Sequence, residues 1–250
     1  MAGIAILLSR TSPIFLVDTG ILEGAQNKSI FSFKDIPFAA APVGQWRRRE
    51  PQAPAEWNGI RDAKNFGNAC IQKPGLSDKN GGNPGPISQA CLFLSVWTPV
   101  LQQNGKLPVM VWIHGGGLLF GSGSVPGYGG DSLAKRGAVI VGVNYRIGAL
   151  GFFSHPALDA ERNGFKNFGL LDQMAALKWV QKNISAFGGD ANNATIFGQS
   201  AGAESVLALY SSPLAGLFHK GIAQSPYGIL GHSLQKNPQS RRVGCSSRRA

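Results

Sequence analysis

Apolar runs and helix-spaced apolar residues alternate along the second half of the chain. Residues 109–113 and 138–145 form two nearly continuous apolar runs, typical of strands buried on both faces of a mostly parallel sheet. The pattern predicts, in chain order, strands at 109–113 and 138–145, a helix at 169–184 that Gly188 and Gly189 end, a strand at 195–197, a helix at 201–209 and a strand at 221–223. Strands that alternate with helices indicate an α/β fold.

The first half of the chain has a different pattern. Short apolar stretches at 14–17 and 30–38 are separated by glycines and predict small strands of an N-terminal hairpin or meander. Residues 39–60 contain three prolines and predict an irregular surface crossing, and residues 72–90 predict a loop.

The length of 250 residues is enough for one domain with a sizeable core. The net charge of +11 raises the possibility of nucleic-acid binding. However, residues 1–204 carry 18 Lys and Arg against 13 Asp and Glu, while residues 205–250 carry six Lys and Arg and no acid. Because the excess charge lies largely in the last segment, we expect no nucleic-acid partner. No run reaches the roughly 18 apolar residues of a membrane span, so we expect none.

The three cysteines are Cys70, Cys91 and Cys245, so at least one is unpaired within the chain. Cys70 and Cys91 flank the glycine- and proline-rich loop, and a disulfide between them would stabilise the fold by about 3 kcal/mol. Spacing alone leaves a disulfide and two free thiols equally open.

Residues 198–202 fit the pattern G-x-S-x-G, with Ser200 at its centre. A β-branched run precedes this serine and a helix-forming run follows it, which is the strand–turn–helix context of a nucleophile elbow. The two glycines remove Cβ atoms where such a turn would clash. The helix that follows favours negative charge developing near its N-terminus.

His114-Gly115-Gly116-Gly117 directly follows the strand predicted at 109–113. A glycine run at the carboxyl end of a strand can present backbone N–H groups to a tetrahedral oxyanion. It can also be a simple glycine-rich turn. A phosphate loop is excluded, because Phe120 occupies the third glycine position of G-x-G-x-x-G.

Stretches along nearly the whole chain resemble the type-B carboxylesterase/lipase family, which includes the cholinesterases. They lie at 34–39, 41–44, 107–117, 143–148, 151–152, 167–173, 179–184, 187–190, 197–202 and 217–222. The resemblance implies an α/β-hydrolase fold that acts on a small-molecule carboxylic ester through an acyl-enzyme, with no cofactor or metal.

The resemblance also implies roles for individual residues. Ser200 is the expected nucleophile, and the backbone N–H groups of Gly116, Gly117 and Ala201 are the expected oxyanion hole. Cys70 and Cys91 match the family's first disulfide. Arg146 and Asp172 match positions expected to form a structural ion pair.

We expect the chain to be the N-terminal half of such an enzyme, truncated after the nucleophile-elbow helix and the strand that follows it. The expected domain covers residues 1–235, and residues 236–250 are expected to be a disordered basic tail. The resemblance and the sequons at Asn27, Asn183 and Asn193 imply secretion, although the apolar stretch at 4–8 is too short for a signal peptide.

The residues that would complete a catalytic triad are not found in the sequence. In this fold the order is serine, then acid, then histidine. The one carboxylate after Ser200 is Glu204, one helical turn along the elbow helix. Among the histidines, His219 and His232 follow the serine, whereas His114 and His155 precede it.

None of these histidines is in a position expected of a general base, so we expect this chain to be a catalytically incomplete ester hydrolase. The alternative is a non-catalytic, cholinesterase-like binding module.

One further departure from the family concerns Arg47. The acidic pair that normally precedes the second cysteine is replaced here by Gln89 and Ala90. We therefore expect Arg47 to lack its partner, at a cost in stability if it is buried.

Overall fold

A computed structural model describes residues 12–75, 82–101, 105–153, 155, 167–212 and 215–227. The strands are β1 (Ile14–Val17), β2 (Gly20–Glu23), β3 (Ala25–Asn27), β4 (Ile30–Pro37), β5 (Ile60–Asp62), β6 (Ala69–Cys70), β7 (Ile87–Ser88), β8 (Phe93–Thr98), β9 (Leu107–Ile113), β10 (Val139–Val143), β11 (Gly189–Gln199) and β12 (Lys220–Gln224). The helices are α1 (Asp131–Ala134), α2 (Gly148–Gly151), α3 (Phe168–Asn183) and α4 (Ala201–Tyr210), with short 3₁₀ turns at Gly44–Trp46, Ile184–Phe187 and Ala215–Leu217.

Seven strands form the main sheet, in the order β12-β11-β9-β10-β8-β4-β3. The four strands from β12 to β10 are parallel, whereas β8, β4 and β3 each run antiparallel to their neighbours. The prediction of an α/β-hydrolase fold is confirmed, but the expectation of a mostly parallel sheet holds for one side of it only. Strands β3 and β4 join the parallel strands of this sheet through β8.

Strands β9, β10 and β11 are where the apolar runs predicted them. All five residues of β10 are buried, as expected for a strand covered on both faces. Strand β8 was not predicted, although its last five residues are buried and its sequence, Phe-Leu-Ser-Val-Trp-Thr, is rich in strand-forming residues. It joins the parallel and antiparallel parts of the sheet.

Helices α3 and α4 lie within one residue of the predicted bounds. Gly188 ends the 3₁₀ turn after α3 in the left-handed region, at φ 77°, where a residue without Cβ is favoured. Gly189 does not end the helix but begins β11, which is much longer than predicted.

A second, three-stranded sheet in the order β1-β2-β5 packs against the core near the end of α3. Phe15 of β1 packs within about 5 Å of Phe33 and Phe187, measured between ring centroids (4.9 and 5.0 Å). The buried Asn183 side chain accepts a hydrogen bond from the Asp18 N–H at 2.9 Å. This asparagine therefore tethers the N-terminal sheet, and its sequon is covered in the folded chain.

Arg146 and Asp172 form a fully buried ion pair between the end of β10 and α3. Arg146 donates from Nε and from a terminal nitrogen to the two carboxylate oxygens, at 2.7 Å each, and its backbone N–H donates at 3.0 Å. Burial raises the pKa of Asp172, and the bonds from Arg146 oppose that rise. The pair is structural, as the resemblance implied.

Arg47 has a partner that was not foreseen. Its side chain is exposed, and its Nε donates to the Gln89 side-chain oxygen at 2.6 Å. The amide of Gln89 thus takes the place of the acidic partner, and the expected cost of a buried unpaired charge does not arise.

Strand β12 lies at one edge of the main sheet, and all five of its residues are exposed. The expected basic tail at 236–250, His232 and Cys245 lie outside the described residues. Every helix in the described ranges is too short or too polar to traverse a lipid bilayer.

The buried ion pair leads to a stability prediction. Replacing Asp172 by Leu leaves the Arg146 guanidinium buried without its counter-ion, so we expect the free energy of unfolding to fall by about 3–5 kcal/mol. The double variant Arg146→Met/Asp172→Leu is expected to recover much of that loss. Urea unfolding followed by circular dichroism measures both.

The matched control is Lys182→Met, which removes a surface pair with Asp18 in which the lysine side chain is 67% exposed. We expect it to cost less than about 1 kcal/mol. A loss for Asp172→Leu no larger than that of the control would contradict the role assigned to the pair.

Candidate active site

The carboxyl ends of β9 and β11 bring the two sequence motifs side by side. The two strands are parallel, with Ile113 paired to Gly198. His114 and the glycine run follow β9 directly. Gln199 is the last residue of β11, and Ser200 follows it. Open α/β sheets bind their ligands at this edge.

Ser200 occupies the turn between β11 and α4 in a strained backbone conformation, at φ 56° and ψ −126°. A non-glycine residue in this region typically costs about 1–3 kcal/mol and persists where its surroundings fix it. Two hydrogen bonds do so here: the Ser200 N–H donates to the Gln224 carbonyl at 2.9 Å, and the Ser200 carbonyl accepts from the Glu204 N–H at 3.1 Å. This is the geometry of a nucleophile elbow.

The two glycines of the motif are required by close backbone contacts. A Cβ at Gly202 would lie 2.2 Å from the Ile113 carbonyl oxygen, and a Cβ at Gly198 would lie 2.5 Å from the Gly202 carbonyl. Helix α4 therefore begins directly against the end of β9, closer than any residue with a side chain allows.

The segment from His114 to Gly121, called the glycine loop below, lies against Ser200. A Cβ at Gly115 would lie 2.6 Å from the Gln199 carbonyl oxygen and 3.3 Å from Ser200 Cβ. Gly116 and Gly117 have positive φ values, 107° and 60°, which glycine adopts without strain. The loop can thus follow a path past the serine that bulkier residues could not take.

A cavity of about 350 Å³ opens between the loop and the elbow. Ser200 and Gln199 line it together with Gly115, Gly116 and Gly117. Its aromatic walls are Phe120, Tyr128 and Tyr227. The space suits a small organic ligand.

Three backbone donors belong to residues that line this cavity or directly follow one that does. The N–H groups of Gly116 and Gly117 donate to no described residue. Ala201 is the first residue of α4, where an N–H has no partner within its helix. Unpaired N–H groups beside a hydroxyl are the arrangement that stabilises an oxyanion during acyl transfer.

His114 belongs to the loop's support rather than to proton transfer. Its ring is 1% exposed, stacks on Tyr145 at 4.3 Å between centroids, and donates from Nδ1 to the Gly115 carbonyl at 2.8 Å. Burial lowers the pKa of His114 to about 4, so it is neutral and a weak base near neutral pH.

The other candidates for the triad lie beside the middle of β11, on the elbow helix itself, near Phe153, or outside the described residues. His219 precedes β12, and its Nδ1 accepts a hydrogen bond from the Ala194 N–H at 3.2 Å. Ala194 is six residues before Ser200, so the two residues are roughly 20 Å apart along the strand. Glu204 lies one turn along α4, and exposed His155 stacks on Phe153. Ser200 Oγ has no hydrogen-bond partner among the described residues.

Two buried amide side chains that sequence reasoning missed hold the loop from outside. Gln72 exchanges two hydrogen bonds with the backbone of Gly121. Asn144 accepts from the Gly123 N–H at 2.9 Å and from the Ser122 hydroxyl at 3.0 Å. Neither position carries a sequence signal for this role, because each partner is at least 21 residues away.

The Cys70–Cys91 disulfide is present, as the resemblance implied. It joins the end of β6 to the residue two positions before β8. In the described ranges, no group of three or more His, Cys, Asp or Glu residues is arranged to hold a metal ion.

Known proteins resemble the chain over most of its length. A family model described as the carboxylesterase family matches residues 11–248. The chain is 47% identical over 211 residues to fumonisin B1 esterase of Sphingopyxis macrogoltabida, covering 83% of this chain and 38% of that protein. It is 43% identical over 217 residues to para-nitrobenzyl esterase of Bacillus subtilis, covering 86% of this chain and 44% of that protein.

A solved structure of PNB esterase superposes on the chain with a TM-score of 0.79 at 42% identity. The match covers 86% of this chain and 44% of that structure. The chain therefore spans less than half the length of these relatives.

The close contact at Gly202 leads to a second prediction. In a helix, alanine is normally more favourable than glycine by about 1 kcal/mol. Here the added Cβ would collide with the Ile113 carbonyl, so we expect Gly202→Ala to lower the free energy of unfolding by roughly 1–3 kcal/mol. Chemical denaturation measures the change.

Gly216→Ala is the matched control, because a Cβ at Gly216 has no neighbour within 4 Å. We expect it to leave stability unchanged within about 0.5 kcal/mol. If Gly202→Ala stabilised the chain, the close approach of α4 to β9 would be wrong.

Proposed function

Because the chain belongs to the carboxylesterase family, we propose that it carries the nucleophile and the oxyanion hole of a carboxylic ester hydrolase. Ser200 is the nucleophile. The backbone N–H groups of Gly116, Gly117 and Ala201 form the oxyanion hole.

The observation that carries this proposal is the position of Ser200. Its strained turn places it at a cavity of about 350 Å³ that the glycine loop also lines. A strained residue at a cleft, beside backbone donors without partners, is characteristic of a site built for chemistry.

The reaction follows from these roles. Ser200 Oγ attacks the ester carbonyl carbon while a base takes its proton, and the carbonyl oxygen becomes an oxyanion that accepts hydrogen bonds from the three N–H groups. The tetrahedral intermediate expels the alcohol, which receives the proton, and leaves an acyl-Ser200 ester. Water then attacks this ester and releases the carboxylic acid and the free serine.

The base in this scheme is a histidine oriented by a carboxylate, and both follow the serine in this fold. No described residue can fill either role, since His219 lies beside the middle of β11 and Glu204 lies on the elbow helix itself. We infer that residues 1–235 form the N-terminal part of the hydrolase domain and that residues 236–250 are a basic tail.

The substrate class is a small-molecule carboxylic ester. The relatives are named as esterases of fumonisin B1 and of a para-nitrobenzyl compound, and the cavity size suits molecules of that class.

A second candidate is a non-catalytic binding module of the cholinesterase-like kind. The observation that favours it is the lack of any described base near Ser200. In such a module the same cavity would bind a ligand without reaction, and replacing Ser200 would have little effect.

A chimera separates these candidates. The stretch of this chain that matches para-nitrobenzyl esterase, 217 aligned residues, replaces its counterpart in that enzyme, which supplies the remaining residues. We expect the chimera to hydrolyse p-nitrophenyl butyrate. We expect Ser200→Ala to lower kcat by roughly 10³-fold or more, because the acyl-enzyme can no longer form.

Ser211→Ala is the matched control, since this exposed serine caps the far end of the same helix. It should leave the rate unchanged, and a cooperative thermal transition in all three proteins confirms that each is folded. A Ser200→Ala chimera as fast as its parent would refute the assignment of the nucleophile.

A further inference from the structure

The Gln72 side chain lies buried between the disulfide and the glycine loop. It is 8% exposed. Its Nε2 donates to the carbonyls of Cys70 and Gly121 at 3.1 and 3.0 Å, and its Oε1 accepts the Gly121 N–H at 2.9 Å. Both donors of the amide and one of its acceptor sites are thus used on backbone groups.

Gly121 is the point at which the glycine loop folds back on its own beginning. It has φ 109°, and a Cβ there would lie 2.7 Å from His114 Nδ1 and 2.8 Å from the Gly115 carbonyl oxygen. The position of Gly121 therefore limits where Gly115 lies, and Gly116 and Gly117 follow directly in the chain.

The disulfide anchors the segment that carries Gln72. Cys70 is bonded to Cys91, which leads into β8 inside the main sheet. Ile71, between Cys70 and Gln72, is 40% exposed, so it adds little burial to hold the segment. The path from the sheet to the loop runs through Cys91, Cys70 and Gln72 to Gly121.

Few other hydrogen bonds define the shape of the loop. Within it, the N–H groups of Leu119 and Phe120 donate to the Gly116 carbonyl at 3.0 and 3.1 Å, and His114 Nδ1 donates to the Gly115 carbonyl at 2.8 Å. From outside, the Gly148 N–H donates to the Leu118 carbonyl and the Tyr145 hydroxyl donates to the His114 carbonyl, each at 2.6 Å. Asn144 holds the residues that follow Gly121, not the turn at Gly115 to Gly117. A glycine-rich segment has high conformational entropy, so its order depends on contacts from outside.

We propose that Gln72 is a positioning residue that orders the glycine loop, and that the Cys70–Cys91 disulfide holds Gln72 in place. The importance of Gln72 for catalysis rests on the proposed function, whereas the effect of Gln72 on the order of the loop is independent of it.

Amide hydrogen exchange of the full chain, read at single residues by NMR, tests the proposal. In Gln72→Leu the Gly121 N–H loses its acceptor, so its exchange accelerates whether or not the rest of the loop changes. The informative amides are Leu119 and Phe120, which do not contact Gln72. We expect their exchange to accelerate at least about tenfold, while amides of β9 and β10 keep their protection.

Gln72→Glu adds a pH profile that a general packing role would not produce. A protonated carboxyl can donate to one of the two carbonyls, whereas a carboxylate only repels them, so burial beside them raises its pKa. Loop protection should therefore be near wild type at about pH 5 and lost at about pH 8, after correction for intrinsic exchange. The wild-type chain should show no such change.

Two further variants complete the test. Gln26→Leu is the matched control, because this exposed side chain bonds only to the Lys28 carbonyl, and it should leave the loop unchanged. The double variant Cys70→Ala/Cys91→Ala should accelerate exchange at Leu119 and Phe120 as Gln72→Leu does.

Acceleration confined to Gly121 in Gln72→Leu would overturn the proposal, since Gln72 would then satisfy a local bond only. If Gln72→Leu failed to fold, a Gln72→Glu variant without pH dependence would overturn it equally. No substrate is present in these measurements, so their outcome is separate from that of the Ser200 chimera.

Discussion

The structure depends on one close backbone contact, between the end of β9 and the first turn of α4. Gly198 and Gly202 allow this contact because no Cβ would fit beside the Ile113 carbonyl and its neighbours. The contact fixes the turn that carries Ser200, and it brings that turn beside the glycine run that follows the same strand. The candidate nucleophile and the candidate oxyanion donors are thus arranged before any ligand arrives.

The contact arranges the candidate nucleophile but does not activate it. A serine hydroxyl needs a base to become reactive, and His114, the buried histidine at the start of the glycine loop, has its pKa lowered to about 4. Acyl transfer requires both preorganised geometry and proton transfer. The described residues supply the geometry and not the base. The loop has no regular structure, so its geometry rests on hydrogen bonds from outside, which include those of Gln72, the Gly148 N–H and the Tyr145 hydroxyl.

The parts that local sequence determines were predictable. The apolar runs of β9 and β10, the helical spacing of α3 and the G-x-S-x-G turn each depend on neighbours in the chain, and each was found where expected. Strand β8 was missed because its run follows a long loop, although its composition favours a strand. The partner of Gln72 lies 49 residues away, and nothing in one sequence relates such positions. The resemblance did relate Arg47 to positions 89 and 90, but it did not show that the amide of Gln89 would accept the hydrogen bond of the missing acid.

The most direct test of the account is the reactivity of Ser200 in the 250-residue chain itself. A fluorophosphonate reagent forms a stable adduct with a serine that a neighbouring base activates. Intact-protein mass spectrometry, with peptide mapping, shows whether the adduct forms. The account predicts a folded chain that remains unlabelled at Ser200, and stoichiometric labelling at Ser200 would contradict it by showing that the chain contains its own base.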